Sequence, residues 1–179
     1  WKGFPPILSI YDELTQWERL LNENRITRNH FEQTQLIQNH RQLFLKEEVS
    51  PLNLSTSGNF SNSEKDTLLK KIEYLELDNI RLIEGDFSET MRSDKFKDLR
   101  IFSALIDADL YESYKVALPF IWQRLVNKGY LHLDEYYSLK FPGARIATDQ
   151  FCKQNNLKVE MHKRFKGDFE RWFLRKSIN

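Results

Sequence analysis

The stretch Ile101–Tyr136, IFSALIDADLYESYKVALPFIWQRLVNKGYLHLDEY, leaves few folds open to this chain. Ile101–Ile106 is a short apolar run, as expected of a strand buried on both faces of a parallel sheet. Asp107 and Asp109 follow at its carboxyl end. Leu110–Val126 then sets Tyr114, Ala117, Leu118, Ile121, Trp122 and Leu125 at helical spacing. Asn127, Lys128 and Gly129 predict a left-handed stop with a cation in the last turn. Tyr130–Leu133 reads as a second strand, ending in Asp134 and Glu135. A strand–helix–strand unit with acids past both strands predicts an open α/β sheet, because such loops converge on one crevice.

The flanking segments fit that sheet. Trp1–Pro6 is a loop. Ser9–Leu21 predicts a helix, and Asn29–Glu48 a polar, peripheral or lid-like helix on which His30 and His40 are solvated. Pro51–Ser63 is a loop by composition. Ser63, with Asp66 at the capping-box position, predicts a helix over Glu64–Leu77 that buries Leu68, Leu69, Ile72, Tyr74 and Leu75. Ile80–Ile83 predicts a strand leading to Glu84, Gly85, Asp86 and Phe87. Ala144–Asn155 predicts a helix, and Leu157–Met161 with Asp168–Arg175 an antiparallel hairpin that closes a mostly parallel sheet. At 179 residues this is a single domain, with the polar helices of about 9–50 as an insertion.

Bulk properties remove whole classes of function. A net charge of +1 and the absence of a basic stripe argue against nucleic acid. No apolar run approaches the ~20 residues of a spanning helix, so no membrane role is expected. Cys152 stands alone, which excludes a disulfide framework and predicts a buried thiol. With no signal-peptide pattern, a cytoplasmic location is the expectation.

The acids carry the chemistry. Asp109 and Glu112 are spaced as a capping box, and that role alone would explain both. Asp107, Asp134 and Glu135 fall just past neighbouring strands with no basic residue beside them. Carboxylates converging unpaired raise one another's pKa, and a hard divalent cation such as Mg relieves that repulsion. Two reactions use such a site on such a sheet. One is metal-dependent glycosyl transfer on the Asp107/Asp109 pair. The other is methyl transfer to a hydroxyl activated by the metal. A remnant that acts only through binding is the third reading.

Further residues point to a family. IDADLYES, the Asn-Lys-Gly-Tyr turn, the Asp-Glu-Tyr strand end and PGARIATDQF resemble the macrocin O-methyltransferase (TylF-type) family, as do WKGFP, Gly58-Asn59-Phe60, IRLIEGDFSETM and RWFLRK. The resemblance implies a class I, Rossmann-like, S-adenosylmethionine (SAM)-dependent O-methyltransferase assisted by Mg. Its acceptor would be a small molecule, a hydroxyl of a saccharide or glycosylated metabolite, and a homo-oligomer is compatible with it. By the same resemblance, Asp107, Asp134 and Glu135 would bind the metal, Glu135 in place of the commoner Asp. Gly85, Asp86 and Phe87, together with Asp107, would meet SAM. Asp109 would keep its capping role. Tyr111 and Tyr136 read as core or crevice aromatics. His132 is the candidate catalytic base and His162 a weaker one. The family's Gly-x-Gly turn has no counterpart among the six glycines, which lie at 3, 58, 85, 129, 143 and 167. The chain therefore reads as a fold lacking its first strands, with bare strand edges.

Overall fold

The computed structural model describes residues 3–5, 8–56, 64–163 and 170–177. Trp1, Lys2, the Gly58–Phe60 motif and the Ser63 cap lie outside them. A 3-10 turn at Ile10–Asp12 is followed by helices α1 (Gln16–Asn22), α2 (Arg28–Gln42), α3 (Lys65–Tyr74) and the short α4 (Phe87–Thr90). Then come strand β1 (Ile101–Ile106), helix α5 (Tyr111–Arg124), strand β2 (Leu125–Leu133), helix α6 (Pro142–Gln154), and strands β3 (Glu160–Met161) and β4 (Trp172–Arg175).

The sheet order is β1-β2-β4-β3, and the sheet is mixed. β1 and β2 are parallel, with Ser103 opposite Tyr130 and Ile106 opposite Leu133. β4 runs antiparallel to both β2 and β3, as the closing hairpin requires. Alternation along β2 sends Leu131 and Leu133 into the core, where Leu174 of β4 meets them. α5 covers that face with Tyr114, Ala117, Leu118 and Ile121, one helical stripe. α6 adds Ala144, Ile146, Ala147 and Phe151, and Pro142 starts it where a missing N–H costs nothing.

Several expectations fail locally. α5 ends at Arg124 and β2 begins at once, so the Asn127–Gly129 stop is a bulge within a strand rather than a helix cap. Lys128 takes a left-handed φ of 62° there. Gly129 packs so closely that a Cβ would lie 2.6 Å from the Leu125 side chain. Ile80–Ile83 forms no strand: Ile80 and Ile83 are exposed, and no strand among the described residues pairs with that segment. α3 forms, yet none of its residues is buried, and Tyr74, expected inside, is 86% exposed. Its amino end begins at Glu64 with no side-chain cap.

The amino-terminal helices pack more firmly than a polar insertion suggests. Trp17, Leu20 and Ile26 belong to the main core. Arg25 pairs with Asp149 of α6, its Nε donating at 2.9 Å, and Arg145 donates to the Arg25 carbonyl at 2.6 Å. His30 is buried rather than solvated: its Nε2–H donates to the Ser138 carbonyl at 2.8 Å. Burial without a countercharge pushes its pKa down to about 4, so the ring is neutral. Cys152 is buried as expected. No helix among the described residues is long and apolar enough to cross a membrane.

Candidate functional site

The carboxyl ends of β1 and β2 lie side by side, and the turns beyond them meet. Tyr114 of α5 ties the turns together. Its hydroxyl donates to the Ile106 carbonyl at 2.9 Å and accepts the Glu135 N–H at 3.1 Å. The ring is fully buried, so one side chain fixes both strand ends. Asp109 adopts a left-handed φ of 54°, a conformation that Asp tolerates better than most residues, and this turns its carboxylate toward the crevice. Asp107, Asp109 and Glu135 each offer a carboxylate oxygen, and the three oxygens lie within 4.8 Å of one another.

No cation forms an ion pair with them among the described residues, and the Lys140 charge offsets that of Asp109 only in part. Burial, followed by the neighbouring Asp134 charge, raises the Asp107 pKa. Burial and then the Asp107 charge raise that of Asp109, against a hydrogen bond with Glu135 and the Lys140 charge, which lower it. Glu135 is raised by burial and by the charges of Asp109, Asp134 and Asp107, against the Ser138 hydroxyl that bonds its carboxylate. Ser138 Oγ already accepts the backbone N–H groups of Lys140 and Phe141, at 3.0 and 2.9 Å, which leaves its own proton for Glu135. Packed oxygen donors with surplus negative charge suit a hard divalent cation.

Asp134, expected in this group, contributes charge while its Oδ1 sits 3.6 Å from His132 Nε2. His132 is held on its other side by the Tyr130 hydroxyl, 3.2 Å from Nδ1. That hydroxyl also meets His162 Nε2 at 2.8 Å. Tyr111 and Tyr136 are both buried, and Tyr136 donates to Asp149 at 2.8 Å, so both are core residues. Asp86 is exposed and caps α4 by accepting the Ser88 N–H at 2.7 Å, and Gly85 beside it has φ of 134°. The Asp86 loop is thus set by local turn chemistry rather than by contact with the acids.

Asp109 does not cap α5. The N-cap is Leu110, whose side chain makes no cap, and the Tyr111 N–H instead donates to Asp12 Oδ1 at 2.8 Å. Asp12 is 1% exposed and stands against the first turns of both α5 and α6. A Cβ at Gly143 would lie 1.9 Å from its Oδ1, so only glycine admits this approach. The carboxylate therefore faces two helix amino ends, where the macrodipoles favour negative charge. Burial nevertheless pushes its pKa up to about 6. The residue order around α5 gave no sign of a cap supplied from 99 positions away.

Comparison with known proteins gives the chain a family. The family model for macrocin-O-methyltransferase (TylF) matches residues 34–168, well over half of the chain. The chain belongs to that family. Two solved structures share the fold of this TylF-family chain. One is the O-methyltransferase NovP, at 16% identity and a TM-score of 0.58, covering 74% of this chain and 54% of its own. The other is CalS11, a calicheamicin methyltransferase, at 24% identity and a TM-score of 0.54, covering 71% of this chain and 52% of its own. The chain thus spans about half the length of the structures it matches. No curated protein matches it.

Proposed function

We propose that this chain forms the metal and acceptor side of a SAM-dependent, Mg-assisted O-methyltransferase acting on a hydroxyl of a saccharide or glycosylated metabolite. One observation carries the reading: Asp107, Asp109 and Glu135 converge at the carboxyl ends of two parallel strands in a TylF-family chain. We read the whole as a single cytoplasmic methyltransferase domain with a helical insertion.

The residues present fit a hard cation by donor chemistry, since three converging carboxylates with no ion-paired cation among the described residues are the oxygen set that Mg takes. Asp107, Asp109 and Glu135 would hold it, with Asp134 as the alternative third ligand. Bound there, such an ion lowers the pKa of a coordinated hydroxyl. The chain's own part is positioning. Tyr114 keeps the two acidic turns in register, and Ser138 fixes the Glu135 carboxylate. His132, braced between Tyr130 and Asp134, is the candidate acceptor of the hydroxyl proton.

For SAM the fit is one-sided. The Asp86 carboxylate, with Gly85 and Phe87, is exposed and would accept from the exocyclic amine of an adenine. The sulfonium methyl is the electrophile such a donor supplies. The 179 residues hold no Gly-x-Gly turn to receive the rest of it.

Calorimetric titration of Mg tests the cation site. Asp107→Asn and Glu135→Gln each weaken binding by ~10-fold or more, the loss expected when one ligand goes. Asp109→Asn and Asp134→Asn, compared in the same titration, identify the third ligand. A wild-type chain that binds no divalent cation would sink the metal reading. SAM binds these residues alone poorly; a micromolar Kd on this chain would overturn that half of the assignment.

A further inference from the structure

Among the acids of the centre, Asp109 is the one its own neighbours explain least. Its left-handed backbone, at φ 54°, is strained for a residue with a side chain and persists where the surroundings impose it. A relaxed alternative stands in the sequence, since Asp109 and Glu112 have capping-box spacing. As the N-cap of a helix begun one residue earlier, Asp109 would be extended, and its carboxylate would accept the N–H of Tyr111 or Glu112.

Asp12 stands in the way of that alternative. Its Oδ1 already accepts the Tyr111 N–H at 2.8 Å. A second carboxylate brought to the same turn would face the first, and like charges at such range repel. Asp12 is also held where it is. Its carboxylate bonds the Ser9 backbone, and its own N–H donates to the Ser9 carbonyl at 2.9 Å. The Tyr11 ring packs on the Tyr111 ring with centroids 4.4 Å apart, and the Tyr111 hydroxyl donates to Gln150 of α6 at 2.7 Å. The far end of the acidic turn is fixed by Tyr114 through the Ile106 carbonyl. Between these two anchors the Asp109 carboxyl bonds Glu135 instead of the helix.

From this competition for one helix end we propose that Asp12 is a positioning residue: by capping α5 itself, it denies Asp109 that role and holds Asp109 in the acidic centre. Asp109 is then either cap or ligand, and a residue from the amino-terminal turn decides which. The effect of Asp12 on cation binding rests on the Mg reading of the centre. Its effect on the Asp109 backbone does not.

Two readouts on the same variants test this: calorimetric titration of Mg, and the carbon chemical shifts of Asp109, which report its backbone conformation. Asp12→Ala weakens Mg binding by ~10-fold, as loss of a residue that orients a ligand does, and moves the Asp109 shifts from the left-handed to the extended range. Asp12→Leu, similar in shape to Asp but without an acceptor, does the same with the space beside Gly143 filled. Asp12→Asn, whose amide oxygen still accepts the Tyr111 N–H, keeps both readouts at their wild-type values. In an Asp109→Asn background Asp12→Ala costs no further affinity, because Asp12 acts on the cation through Asp109. Leu174→Ala loosens the core away from the turn and leaves Mg affinity unchanged. Asp109 shifts that stay left-handed in both Asp12→Ala and Asp12→Leu overturn the proposal. So do additive losses in the double variant, or an equal loss in Leu174→Ala. A wild-type chain that binds no Mg ends the cation reading alone, and the Asp109 shifts still decide whether Asp12 sets that residue's role.

Discussion

Two apolar regions of the molecule meet opposite fates. On the helix side, Leu131 and Leu174 are at most 1% exposed beneath α5 and α6. At the β1 edge and on the segment before it, Phe102 is 75% exposed, Leu105 59%, Ile83 51% and Tyr74 86%. Both surfaces have sequence patterns that ask for burial. The difference is supply: β2, β4 and two helices surround the first, whereas β1 has a strand on one side only among the described residues. Periodicity states which face must be covered. It does not state that the cover is present.

The sharpest break of this comparison is a pair of truncations. Leu131→Ala, deep under α5, lowers unfolding free energy by about 2–5 kcal/mol. Leu105→Ala, on the bare face, changes it by no more than ~0.5 kcal/mol. Denaturant unfolding measures both. Equal losses would mean that the exposed face is covered in solution, by a second copy or by further chain.

Asp12 tests how the covered half is held together. Asp12→Ala removes the acceptor for the Tyr111 N–H and leaves a gap against Gly143, costing about 2 kcal/mol. Asp12→Asn keeps an acceptor and loses the buried charge, so at neutral pH it equals or exceeds wild type. The sign follows from the raised pKa. Folded Asp12 keeps its proton to about pH 6 and unfolded Asp12 only to about 3.8, so its contribution is full at low pH and is lost as pH rises through that window. Asp12→Asn removes this falling limb from a plot of Tm against pH.

His30 carries the opposite slope. Its folded pKa of about 4 lies below the ordinary 6.5. Its stabilisation is therefore present above pH 6.5 and is lost as pH falls toward 4. His30→Gln keeps a donor toward the Ser138 carbonyl and cannot charge, so it removes roughly 3 kcal/mol of acid sensitivity. A Tm that falls with acid as steeply in His30→Gln as in wild type would place that sensitivity elsewhere.

These residues mark what the sequence made legible. The βαβ unit, the acids past both strands and the closing hairpin follow from local pattern, because each is fixed by neighbours within a few positions. The convergence of Asp107 and Glu135 was legible for that reason. Asp109 was read as a cap because its spacing to Glu112 satisfied the local rule, and only the tertiary arrival of Asp12 freed it to join the acids. His30 on a polar helix likewise looked solvated until the Ser138 loop packed over it. Ile80–Ile83 and α3 err the other way: their local signals are sound, and a strand or helix to complete them is absent among the described residues.

The smallest effect is the most discriminating for the cap. If Asp109 and Glu112 formed a capping box, Glu112→Ala would cost about 1 kcal/mol. In the structure Glu112 is exposed and, among the described residues, pairs with Lys115 at 3.3 Å across one helical turn. Exposed pairs of that kind are worth a few tenths of a kcal/mol and are screened by salt. Glu112→Ala therefore changes stability by about 0.3 kcal/mol, and that change shrinks toward zero in high salt. The small electrostatic push of Glu112 on Asp12 is removed as well, so the Asp12 proton comes off at slightly lower pH. A loss near 1 kcal/mol that survives high salt would return the cap of α5 to Glu112, and Asp12 would then be a passenger at that helix end rather than its brace.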